Sequence, residues 1–130
     1  MNDVLPLSLS PLMSGDPDAA MEVAKQIIGG QLPVDHRLLV KIATDEAKPK
    51  WTRIAAIYAL GFLGDKTAAP EMREMLGNSE IDVDIRSHAA EALGNIRDRS
   101  SIKVLKSVLR RSPPGPLEES CNYALSEMGA

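Results

Sequence analysis

Apolar residues recur along this chain at the spacing of helix faces. In RIAAIYALGFLGD (53–65), Ala56, Ala59, Leu60 and Leu63 stand at i, i+3, i+4 and i+7, one stripe of an α-helix. The pattern returns in RSHAAEALGNIRD (86–98) at an offset of 33 (86 − 53). Arg53 falls over Arg86, Ala56 over Ala89, Ala59 over Ala92, Leu60 over Leu93, Gly61 over Gly94 and Asp65 over Asp98. A third copy, LEESCNYALSEMGA (117–130), sets Ala124-Leu125 under Ala92-Leu93 at an offset of 32 (125 − 93). A weaker fourth, AMEVAKQIIGGQL (20–32), aligns Ala24 with Ala56 and Ile28-Gly29 with Leu60-Gly61.

A second helix follows each of the earlier copies. VDHRLLVKIATD (34–45), AAPEMREMLG (68–77) and SIKVLKSVLR (101–110) keep Leu39, Met72 and Leu105 in one phase. Asp65 and Asp98 precede two of these helices and are expected to cap them. Gly61 and Gly94 interrupt the apolar stripe at the same phase, each at a cost of about 1 kcal/mol relative to alanine. A cost repeated in register predicts a neighbouring backbone close by. Polar or proline-rich linkers separate the units at 45–50, 77–84 and 111–116. A helix pair of this length cannot bury its apolar faces alone, so neighbours must stack.

The expected fold is therefore all-α: an α-solenoid of about seven short helices. The expected organisation is an irregular N-terminal arm over 1–17, then a repeat domain over 18–130. Its units fall at 18–47, 48–79 and 80–112, with a half repeat at 113–130.

Composition narrows the picture in two ways. Aromatic residues are only 3% of the chain, so Ala, Leu, Ile, Val and Met must build the core, which suits close-packed helices better than a β-sandwich. The formal net charge of −3 gives no general pull toward nucleic acid or an anionic membrane. One cysteine, Cys121, cannot form an internal disulfide, and no apolar run reaches the length of a membrane span. Pro6 and Pro11 break the apolar N-terminus, which has no basic flank of the signal-peptide kind. The expected location is cytoplasmic.

Tetratricopeptide repeats need bulky aromatic positions and ankyrin repeats a T-P-L-H opening; neither is present. Asp82, Ile85-Arg86, Ala89-Ala90, Ala92-Leu93-Gly94 and Asp98, with Gly64-Asp65 closing the earlier copy, instead resemble the short HEAT-like repeat of phycobilisome (PBS) lyases. The resemblance covers 18–130 and is strongest over 50–110. It implies an armadillo/HEAT-like right-handed superhelix and says little of function. A lyase of that kind places a bilin on a carrier protein, for which only Trp51, Tyr58, Phe62 and Tyr123 offer rings, Phe62 following a core stripe.

Deoxyhypusine hydroxylase is a HEAT-like enzyme whose His-Glu dipeptides hold two irons, in a context that resembles AAEALG (89–94). Here His88 precedes Ala89 and His36 precedes Arg37; no His-Glu pair occurs. His88 reads as a residue flanking a helix interface, and Cys121, aligned with Ala89, as a core thiol. Gly61-Phe62-Leu63-Gly64 lacks the lysine and the glycine run of a phosphate loop. No catalytic residue, metal site or cofactor is assigned.

What remains is a non-catalytic protein-interaction or scaffolding module. Its candidate binding face lies on the second helices, through Arg37, Lys41, Arg73, Lys103, Lys106 and Arg110. Rows such as Val40, Arg73 and Lys106 are expected to run across repeats, near Arg97, Arg99 and Arg111. Such a face suits a protein partner with an acidic segment; without interleaved aromatics it suits a nucleic-acid strand less well. The apolar stripe of the half repeat (Leu117, Cys121, Ala124, Leu125, Met128) needs a cover, in this chain or in a second copy as a homo-oligomer.

Overall fold

Aspartates and prolines open several of the helices. The computed structural model describes residues 7–130, where all regular structure is helical and seven α-helices follow one another. α1 spans Pro17–Ile28, with the Asp16 carboxylate accepting from the Ala19 amide at 3.3 Å. α2 spans His36–Thr44, and Asp35 accepts from the Arg37 amide at 2.9 Å. α3 is Lys50–Leu63 and α4 is Ala69–Gly77. α5, Val83–Ile96, starts behind Asp82, which accepts from the Asp84 amide at 2.8 Å. α6 is Ile102–Arg111 and α7 is Pro116–Glu127, with proline in its first turn.

The chain divides into two compact units whose boundary, between Ala59 and Leu60, falls inside α3. In the first, Val23, Ala24, Ile27, Leu39, Ile42, Ala43 and the run Ile54–Ile57 form the core. The irregular arm expected over 1–17 needs correction from residue 7 onward. Leu7–Met13 is a 3-10 helix packed on α1, and Pro17 already belongs to α1; residues 1–6 lie outside the described residues. Three residues per turn put Leu9 and Leu12 on one side, and both are buried. The Thr52 hydroxyl donates to the Leu12 carbonyl at 2.6 Å and ties this segment to α3.

In the second unit α5 packs on α7 and α4 on α6, while α4 also meets α5 and α6 meets α7, giving two helical layers. The repeated glycines mark the closest approaches. A Cβ on Gly61 would stand 2.9 Å from the Ala92 Cα, and one on Gly94 would stand 2.7 Å from the Ala124 Cα. The glycine of each Ala-Leu-Gly thus faces the alanine of the next copy, as the repeated cost predicted. In the first unit Gly29 behaves differently: its nearest neighbour is the Gln31 side chain. In the last copy Ser126 replaces the glycine and is exposed.

Two further rules emerge from the repeat. Arg53 donates through Nε to the Ala43 carbonyl at 3.0 Å, and Arg86 does the same to Leu76 at 3.1 Å. Each satisfies a carbonyl in the open end of a second helix. At the corresponding place in the first turn of α7 stands Glu118, and the last turn of α6 instead receives the Ser112 hydroxyl, which donates to the Val108 carbonyl at 2.7 Å. The residue closing α3, α5 and α7 adopts a left-handed conformation: Gly64 (φ 68°), Arg97 (φ 59°) and Gly129 (φ 67°).

Candidate functional site

α6 separates its side chains more sharply than any neighbour. Leu105 and Val108 face the core, while Lys103, Lys106 and Arg110 are exposed at spacings of three and four, which puts them on one face. None of the three joins an ion pair among the described residues. Arg110 and Arg111 occupy the last turn, where a helix end favours positive charge. Three uncompensated cations on one helix form a local positive field on a chain of net charge −3.

Arg73, placed in the same face by sequence, is used differently. Its Nη1 sits 2.6 Å from the Asp98 carboxylate, with the two side chains 31% and 13% exposed, so a half-buried pair holds it. Asp98 was expected to cap α6 and makes no side-chain cap there; the guanidinium has claimed its carboxylate. Asp65 does act as expected, accepting from the Thr67 amide at 2.9 Å. Arg99 turns away from the face as well, donating to the Met128 carbonyl at 2.8 Å.

The remaining candidates belong to the first unit. Arg37 is exposed and paired with Asp35 at 3.0 Å, a contact that holds the Asp35 carboxyl below its ordinary range. Lys41, on the exposed side of α2, lines a cavity of about 320 Å³ with Met13, Leu38 and Ile42. The six candidates therefore fall into a cationic trio on α6, a structural pair at Arg73, and two residues of α2.

The other chemistry settles into the scaffold. Cys121 is fully buried, and burial pushes its thiol up to about 11 against the opposing charge of Arg86. His88 is half buried with Nδ1 2.8 Å from the Asp84 carbonyl one turn earlier. Among the described residues no three His, Cys, Asp or Glu side chains gather as metal ligands. Phe62 does not join the core; it is 54% exposed. Tyr123 gives its hydroxyl to Asn95. The stripe on α7 is covered inside the unit, with Leu117, Cys121, Ala124, Leu125 and Met128 all buried by α5 and α6. No helix among the described residues is long and apolar enough to cross a membrane.

Sequence reasoning missed the role of Arg53 and Arg86, although their alignment was visible. An arginine repeated in the first turns of α3 and α5, a few residues after the end of a second helix, was the available signal.

Comparison with known proteins agrees with this geometry. A family model described as HEAT repeats matches residues 37–126. Deoxyhypusine hydroxylase of Candida albicans is 34% identical over 71 residues, 55% of this chain and 22% of the relative. Deoxyhypusine hydroxylase-B of Oryza sativa is 34% identical over 85 residues, 65% and 28% respectively. The Saccharomyces cerevisiae deoxyhypusine hydroxylase is 40% identical over 71 residues, 55% and 22%. The chain spans about a quarter of the length of these relatives. With no His-Glu dipeptide and only two histidines, its own residues do not fit a two-iron centre.

Proposed function

Because the chain belongs to the HEAT-repeat family, we propose that it is a non-catalytic protein-interaction or scaffolding module that takes a partner bearing an acidic segment. The observation that carries this reading is the cationic trio Lys103, Lys106 and Arg110, exposed on one helix face and outside any ion pair among the described residues. Complementary charge steers encounter and sets register, while shape and apolar contact supply the rest of the affinity. The test is affinity purification from the native host with the wild-type chain beside K103E/K106E. On this reading the double variant folds normally and loses the partner. Unchanged capture would move the site off α6.

A second reading, an accessory unit of a protein-modification enzyme such as a bilin lyase, draws support from the PBS-lyase-like repeat and the similarity to deoxyhypusine hydroxylases. It requires the chain to stimulate a modifying activity when added to a catalytic partner. A bilin role further requires bilin absorbance after co-expression with bilin-producing enzymes.

A further inference from the structure

In the second unit the linkers and adjoining helix turns border an open cavity of about 280 Å³ with no carboxylate in its walls. Val83, Val108 and Leu117 give it apolar walls, and Arg86 and Arg111 supply its charge. Arg86 is half buried and held in place, because its Nε donates to the Leu76 carbonyl at 3.1 Å. Its two terminal nitrogens have no acceptor among the described residues, and Arg111 has no ion pair there either. The reason is visible in the repeat. Asp82 caps α5 and Asp84 lies in its first turn, on either side of Val83, but the matching positions at the start of α7, at an offset of 32 (114 − 82), are Pro114 and Pro116. The wall formed by Pro114 and Pro116 carries no acid at these positions, and Arg86 lines the cavity with it.

We propose that this cavity receives an aspartate or glutamate carboxylate from an extended acidic segment of a protein partner, with an adjacent apolar residue lying against Val83, Val108 and Leu117. The proposal rests on the interaction-module reading and adds the anchor point. Two guanidinium groups beside an apolar wall offer forked donors to a carboxylate that the chain does not supply. The volume lies just below the range of about 300–1,000 Å³ common for small-molecule pockets, a size for one or two side chains.

Fluorescence anisotropy with a short labelled peptide alternating glutamate and leucine tests it, with the glutamine counterpart as control. The glutamate peptide is expected to bind and the glutamine peptide to bind much less. Arg111→Glu, at an exposed position and checked for retained helicity, is expected to weaken binding by about tenfold or more, the scale of a lost charge-assisted hydrogen bond. R86K, which keeps the charge and loses the fork, should weaken it as well. If K103E/K106E abolishes binding and R111E does not, the α6 face stands and the cavity proposal falls. If the peptides bind equally, or inorganic phosphate displaces the glutamate peptide as well as unlabelled peptide does, carboxylate capture is overturned. If neither peptide binds, the acidic-partner reading falls with it.

Discussion

Gly94 faces the backbone of Ala124 so closely that a methyl group on it would lie 2.7 Å from the Ala124 Cα. Backbone cannot step aside as a flexible side chain can. Gly94→Ala should therefore destabilise the protein by about 1–3 kcal/mol despite the helix propensity it gains. Urea denaturation measures this directly. Gly29→Ala meets only the flexible Gln31 side chain and should stay within about 0.5 kcal/mol of wild type. Equal effects at the two positions would contradict the close-approach explanation.

Arg97 holds the left-handed conformation that Gly64 and Gly129 hold in the neighbouring copies. A side chain with φ of 59° carries a backbone cost of about 1–2 kcal/mol, which glycine removes while adding freedom to the unfolded chain. Arg97→Gly is expected to raise stability by about 0.5–1 kcal/mol. A thermal melt showing a lower midpoint would mean that the arginine makes a compensating contact.

Arg73 and the α6 lysines look alike in sequence and should part company in stability. Arg73→Glu sets a second carboxylate against the half-buried Asp98 and should cost about 1–3 kcal/mol. K103E/K106E changes only exposed, unpaired charges and should stay within about 0.5 kcal/mol of wild type. Chemical denaturation of both variants in one buffer separates the two roles.

The Cys121 thiol loses its proton near pH 9.0 when unfolded and at about 11 when folded. Between those values the unfolded chain releases a proton that the folded chain keeps, so stability falls as pH rises through this window. Below it, both states hold the thiol proton and nothing is lost. Cys121→Ala should flatten that part of the pH–stability curve. A thiol reagent at neutral pH should label the wild type only as fast as the protein opens.

The stripes and their period made the helices readable. Ala56, Ala59 and Leu60 announce α3, and the matching Ala89, Ala92 and Leu93 announce α5, because burial against a repeated neighbour forces one pattern. The glycines announced a close approach for the same reason. Legibility failed where an interaction is chosen by distance between separated segments. Arg73 and Asp98 lie 25 residues apart, and nothing local says that they pair rather than face water and cap a helix. The Leu7–Met13 turn was hidden by Pro6 and Pro11, which suggest a broken chain, whereas Leu9 and Leu12 find one side of a three-residue turn. The cavity beside Arg86 was legible only as a subtraction, two aspartates present at the start of α5 and prolines at the matching start of α7.

Each glycine–alanine contact joins unlike parts, bare backbone on the earlier helix and a methyl-bearing backbone on the later one. The stacking consequently has a direction, and two units exchanged in order would no longer seat at the same depth. Chain polarity is written into the contact itself. At α7 the exposed Ser126 offers a Cβ and a hydroxyl where its predecessors offer bare backbone. A further copy of the unit grafted behind α7 would stand off from it unless Ser126 were first changed to glycine.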